Sequence, residues 1–505
     1  MDAILNHASA TLVVAGLVLY VVGGAIYRLY FSPLAGFPGP KIVALTFWYE
    51  LYWEIIKVGR YQWKIKEMHE KYGPIVRISP IEIHINDPEF IDTVYPSSGR
   101  RTDKHIFTAR AFGNSDSFFG TLPHDAHRLR RAPLNPFFSV RMISSVEHII
   151  CERAIKLESV VAGYKGKGQP LNFTHASVAY AGDVVSAYAF AQSYDMLESP
   201  KLGADWYEIF EGFGRMTHIF PQFGWVYPLM KSLPDALVMK LNPLMSTVLK
   251  VQNSWGDQIR QIKDGENEKH KDASHPTIFR ELLQSNMPPS EKTTERLQEE
   301  AQSVVGAGMV TTANQFGVAV FHLLSNPTIL ERLREELREP MADFPWKMPT
   351  WTELQRLPYF SSILLETFRI SSGIPHRLPR ISPDIPIRYK DWVIPPGTPV
   401  GMSSLLIHDN PDLFPEPRTF KPERWLDGGR KRLEKYLLTF SRGTRQCLGM
   451  NLATAELYLG LASIFRPDGP CMELFETDRS DIDAQHDLFN PHPKLGTKGI
   501  QVLVT

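Results

Sequence analysis

Apolar and polar positions along the chain fall into three regimes. Residues 3–27 contain no Asp, Glu, Lys or Arg, and their core, TLVVAGLVLYVVGGAIY, is apolar almost throughout. That run matches the ~20 residues a helix needs to cross a bilayer and exceeds the roughly 7–15-residue core of a cleaved secretory signal. It predicts an uncleaved membrane anchor over residues 1–30 rather than a buried first helix. The next stretch, FSPLAGFPGPK at 31–41, carries three prolines and two glycines. Proline fixes φ and disfavours helix in the residue before it, so a stiff hinge replaces the helix here. Beyond it, WKIKEMHEKYG at 63–73 has a helical period ended by glycine, and PIVRISPIEIHINDP alternates as two short strands would. Helical spacing dominates from there, over 140–161, 236–262, 295–324 and, after Pro327, 328–338. Short strands return in IPIRY and WVIPPGTPV. The pattern predicts a mainly α chain with a minor β part, one large domain at 42–505, with GENEKHKDASHP at 265–276 as an exposed loop.

Composition narrows what such a chain does. Its 505 residues carry a formal net charge of zero, with no basic block, which excludes nucleic acid as a partner. The three cysteines form no CxxC pair, which argues against a disulfide framework and against a zinc or iron–sulfur cage. No GxGxxG follows a strand, so the chain lacks a flavin or dinucleotide domain of its own. Arg28 and Lys41 follow the apolar run while Asp2 alone precedes it, which places the bulk of the chain on the cytosolic side of a membrane.

Three stretches carry candidate chemistry. In FSRGTRQCLG, residues 440–449, Cys447 sits between Gly443 and Gly449 with Arg445 close by. A lone cysteine is commonly a small buried hydrophobe. Here the glycines permit turns and close approach by a flat ligand, and a fixed cation favours the thiolate. A single thiolate ligand suggests haem iron. Glu366 and Arg369 stand at i and i+3, on one face of a helix, where they form either a solvated surface pair or, with their apolar flanks, a buried pair needing a third partner. VVGAGMVTTANQ, residues 304–315, lies inside the longest helical pattern. Its two glycines cost about 1 kcal/mol each in a helix interior, which asks for a packing or ligand reason.

The spacing of Phe440, Gly443, Arg445, Cys447 and Gly449 fills FxxGxRxCxG, and the chain thereby resembles the cytochrome P-450 family of haem-thiolate monooxygenases. The resemblance runs from the apolar N-terminus to the last strands and implies the cytochrome P-450 fold, haem b bound through Cys447, and the ExxR pair Glu366 and Arg369 braced by Arg424 of FKPERW. It implies haem propionates held by Arg445, Arg131 and Arg380, with His127 standing where members commonly carry tryptophan. It sets Ala307 and Gly308 against the haem, and Thr311 and Thr312 at the oxygen-handling turn of [AG]GxxTT. The acid that usually precedes the first threonine is absent, because position 310 is Val. Three readings stay open there: a proton relay through water, Thr311, Thr312 and Asn314; a haem enzyme that isomerises or dehydrates its substrate; or a protein that binds haem without catalysis.

By position, the family's substrate pocket implies Phe107, Phe112, Phe118 and Phe119 in the roof. Ile374, Pro375 and His376 follow the ExxR helix, and His486, Asp487, Leu488 and Phe489 form the late turn. The apolar lining favours a lipophilic substrate. KYGPIVRISP and HRLRRAPLNPFFS look most like microsomal members from filamentous fungi, often found in secondary metabolism and acting on terpenoids or polyketides. The resemblance implies a monomer in the endoplasmic reticulum membrane, fed electrons by a separate NADPH-dependent flavoprotein reductase.

Overall fold

The computed structural model describes residues 2–241, 243–266 and 275–505, so most of the loop expected at 265–276 lies outside the described residues. Helix α1, Asp2–Ile26, leads the chain, and its apolar side chains from Leu12 to Val22 are exposed. The apolar stretch Thr11–Phe31 has none of its window buried. A wider turn, Tyr27–Phe31, follows.

The proline-rich segment is strapped down. Leu34 and Phe37 are buried in a core they share with Ile75 and Ile83. Arg77 is 2% exposed and donates to the carbonyls of Arg28 at 2.9 Å, Leu34 at 3.2 Å and Pro80 at 2.8 Å. The Leu34 carbonyl also accepts the Phe37 N–H at 3.2 Å, and a buried backbone acceptor left unpaired is costly. One guanidinium therefore fixes the whole segment.

Helix α2, Tyr61–Tyr72, ends where Gly73 adopts φ 94°. Strands β1, Ile75–Arg77, and β2, Ile83–Ile85, follow and pair antiparallel. With β3, Asp103–Lys104, β4, Arg380–Ile381, and β5, Pro399–Gly401, they form a five-stranded sheet in the order β1-β2-β5-β4-β3. Only β2 and β5 run parallel in it. The expected IPIRY and WVIPPGTPV strands appear as the hairpin Ile387–Tyr389 with Trp392–Ile394, and as β5.

Helices build the main core around α3, Phe173–Phe190, which is buried on nearly every face. It packs along α4, Ala307–Ser325, which continues Thr294–Ala301 through a widened turn at Gln302–Gly306. Small residues let the two helices approach: a Cβ on Gly182 would meet the Met196 and Met309 side chains, and one on Gly308 would lie 3.0 Å from Val185. Helices α5, Pro358–Ser371, and α6, Met450–Phe465, complete this core. The helix expected over 140–161 is broken at Val146, where the Ser145 hydroxyl caps the Met142 carbonyl and competes with continuation. That over 236–262 divides into Asp235–Leu241 and Pro243–Lys263, with proline at the first position of the second piece.

Candidate active site

Between α4, α6, the 440–449 loop and the roof segment lies a cavity of about 290 Å³.

The 440–449 loop forms one wall. Phe440 packs edge-on against Phe368 of α5, with ring centres 5.0 Å apart, and its carbonyl accepts the Cys447 N–H at 2.8 Å. Gly443 has φ 75°, and a Cβ there would stand 2.5 Å from the Tyr95 carbonyl oxygen, so this glycine shapes the turn and does not line the cavity. Gly449 lines the cavity and faces open space where a Cβ would be, a cradle suited to a flat ligand. Cys447 presents its accessible surface to the cavity while enclosed by protein. Burial pushes its thiol up, and Arg131 with the Gly449 N–H works against that rise. The cation beside the sulfur is thus Arg131, where the sequence spacing pointed to Arg445.

Basic side chains gather near this loop. Arg131, Arg380, Arg445, Lys104 and His127 all line the cavity. Arg445 donates to the Thr121 and Leu122 carbonyls at 2.8 and 2.7 Å, and its Nε is buried without a partner. Arg131 donates to the Gln446 carbonyl, and Arg380 to that of Leu378 at 2.9 Å. Burial, then Arg380, lowers the Arg445 guanidinium to about 9. Burial and Arg445 together push the His127 imidazole down to about 2, which leaves it neutral. Among the described residues none of these arginines forms an ion pair, although Asp103 acts on Arg445 from a distance. Buried cations require compensating anions, and the two carboxylates of haem supply them. The thiol, the open face at Gly449 and the unpaired cations fit that group.

Over this floor, α4 presents Ala307, Gly308, Thr311 and Thr312 to the cavity. The Thr311 hydroxyl donates to the Ala307 carbonyl at 2.8 Å. Val310 and Asn314 also line it, and the Asn314 Oδ1 is buried without a partner. Phe118, Phe119, Ile374 and Leu488 close the opposite side, with Phe112 and Phe489. Phe107, Pro375, His376, His486 and Asp487 do not line the cavity: Phe107 packs on Phe47, and His376 sits behind Phe489, bonded to Asp487 at 3.1 Å. Further lining comes from Trp206, Ile209, Phe210 and Phe213 of the helix Ala204–Met216. Their spacing of i, i+3, i+4 and i+7 marks an apolar face, but nothing in the pattern distinguishes a cavity-facing stripe from core.

Glu366, Arg369 and Arg424 stand apart from the cavity as a buried cluster. Arg369 forks onto Glu366 at 2.7 and 3.0 Å, and Arg424 adds a third contact at 3.0 Å. Trp425 Nε1 at 2.9 Å and the Lys421 N–H at 3.0 Å complete the shell, while Arg369 also reaches the His408 and Pro417 carbonyls.

A thiolate-lined haem cavity inside a helical fold defines a haem-thiolate oxidoreductase. Residues 43–467 match the family model for Cytochrome P450, and the chain belongs to that family. A tryptophan 6-hydroxylase, fscE, of Fusarium equiseti is 40% identical over 511 residues, covering 100% of this chain and 99% of its own length. The fusicoccadiene C-8 hydroxylase of Phomopsis amygdali is 39% identical, covering 100% of this chain and 98% of its own length. Cytochrome P450 monooxygenase vrcB of Aspergillus aculeatus is 39% identical over 97% and 98%. The protein is a haem-thiolate monooxygenase with an N-terminal apolar helix consistent with membrane anchoring.

Proposed function

We propose that this enzyme hydroxylates a lipophilic small molecule of fungal secondary metabolism, a terpenoid or polyketide, at the cavity above Cys447. The observation that carries the reading is the cavity itself, which joins a thiol and unpaired cations at one side to an aromatic, aliphatic wall at the other. The hydroxylase names of the relatives support the reaction type. Bound haem supplies the iron at which dioxygen is reduced and one oxygen atom is delivered to a carbon.

The chain's own residues do the rest. Cys447 would hold the haem iron through its sulfur, and its N–H on the Phe440 carbonyl fixes it in the loop. Arg131, Arg380 and Arg445, with His127, take the propionates. Thr311 spends its proton on the Ala307 carbonyl, which turns its oxygen lone pairs toward the cavity as acceptors for water. With Val310 in place of an acid, protons reach the site through water held by Thr311, Thr312 and the open Asn314 oxygen. Phe118, Phe119, Ile374 and Leu488 exclude bulk water and orient an apolar substrate. The chain acts as a monomer, with residues 1–30 spanning the endoplasmic reticulum membrane, 31–41 as hinge and 42–505 as the catalytic domain in the cytosol, where an NADPH-dependent flavoprotein reductase delivers electrons.

The test combines a spectrum with isotope transfer. Wild type shows the thiolate-type Fe(II)–CO absorption, and Cys447→Ala and Cys447→His lose it. Incubated with reductase, NADPH, labelled dioxygen and lipophilic extract from a strain lacking the gene, wild type yields a product that carries one labelled oxygen. An unchanged spectrum in both variants would sink the ligand assignment, and a product formed without dioxygen would sink hydroxylation.

A further inference from the structure

Behind Phe489, outside the haem cavity, lies a second concentration of chemistry. Glu50, Glu54, Glu82 and Asp487 are 4%, 3%, 1% and 0% exposed, and Arg377 is the guanidinium among them. Arg377 pairs with Glu50, with Glu82 at 2.8 Å and with Glu54 at 3.3 Å. Four buried carboxylates against one cation leave an excess of negative charge, which a buried site does not tolerate uncompensated.

The lone pairs show where the missing charge belongs. His218 Nε2 faces the Asp487 backbone carbonyl, which only accepts, so the proton of the neutral ring sits there. Its Nδ1 lone pair then faces Glu54 Oε2 at 3.5 Å, and that oxygen is buried without a hydrogen-bond partner. His376 Nδ1 and Asp487 Oδ2 lie 3.1 Å apart. One ligand atom each from Glu54, His376 and Asp487 falls within 4.8 Å of the others. The His376–Asp487 separation of 3.1 Å is that of neighbouring ligands around one ion held at roughly 2.0–2.2 Å.

We propose that Glu54, His376 and Asp487 form a binding site for a divalent metal ion of the zinc type, with His218 beside Glu54 as its neighbour. One imidazole and two carboxylates, with the remaining position left to water, suit such an ion better than a hard, all-oxygen one. Glu54 comes from the turn Tyr52–Ile56, His376 from the segment that follows α5, and Asp487 from the strand that ends at the cavity wall. The ion ties these three regions together and fixes Phe489, which has φ 68° and stacks on His376. Its role is structural, since none of the three donors lines the haem cavity.

The experiment uses the full-length, haem-loaded protein in detergent, dialysed against metal-depleted buffer, with zinc and iron measured separately by mass spectrometry. Wild type holds about one zinc per iron, and Asp487→Asn and His376→Ala lose roughly tenfold or more of it while keeping the Fe(II)–CO spectrum. A chelator lowers the wild-type Tm by about 5 °C, zinc chloride restores it, and Glu54→Gln responds to neither. The wild-type arm decides the matter even if a variant fails to fold. Zinc near background with no Tm response to chelator or zinc chloride overturns the site and assigns the cluster to bound protons. Zinc retained undiminished by the variants overturns it as well, because the ion then lies elsewhere.

Discussion

Glu366 accepts five donors: Arg369 Nε and Nη2, Arg424 Nε, Trp425 Nε1 and the Lys421 N–H. A carboxylate has about four lone-pair sites, so this one is saturated and its burial is fully compensated. Removing it leaves Arg369, 1% exposed, as a buried charge without its partner. Glu366→Ala is expected to cost about 3–5 kcal/mol, read as a lower denaturant midpoint with earlier loss of haem absorbance. An unchanged midpoint would show that the cluster adds nothing net. At this scale the motif spacing in the sequence carried most of the information. The i, i+3 pair and the cysteine between two glycines were legible because each constrains few neighbours. What spacing did not reveal was division of labour: Gly443 serves a turn against Tyr95, Gly449 leaves room for a ligand, and the cation nearest the sulfur comes from a helix more than three hundred residues earlier.

Among elements, those with strong local period are legible in sequence. Helix α2 ends at the glycine expected, and β1 and β2 pair as the alternation implied. The cavity-facing helix Ala204–Met216 was not singled out, because its apolar face has the same period whether it meets core or open space. The start of the chain makes a different kind of test. The apolar side chains of α1 are exposed, whereas Leu34 and Phe37 are buried in the core beside β1. Deleting residues 2–26 is therefore expected to move the protein from the membrane pellet toward the soluble fraction with its Fe(II)–CO spectrum intact. Deleting residues 2–40 also strips two core side chains, worth about 1.5–3 kcal/mol each, and should lower Tm further. Equal Tm values for the two truncations would show that the strap contributes nothing to the fold.

The whole molecule encloses neutral histidines that composition alone does not reveal. Burial pushes His322 and His408 down to about 3 each. Unfolded, each ring takes a proton near its ordinary value, so between about pH 6.5 and 3 the unfolded chain binds more protons and stability falls with acid. Above that window their contribution is complete. At pH 5 each costs up to about 2 kcal/mol relative to neutral pH, which a thermal unfolding series across pH reads directly. His322, stacked on Phe420, gives the control: His322→Phe should flatten part of the slope, and an unaltered slope would assign the acid sensitivity elsewhere. The cavity belongs to this scale too. Its walls come from segments spread from Lys104 to Pro491, and no local pattern states which of them meet.

The strap made by Arg77 has a mechanical consequence. Because its bonds reach both the turn after α1 and the buried segment that follows, the connection behaves as a strut rather than a swivel. A tilt of α1 would apply its torque at Arg28 and deliver it to the first strand of the sheet through the Tyr27–Phe31 turn. Any surface that holds α1 would thereby also set the orientation of the domain behind it.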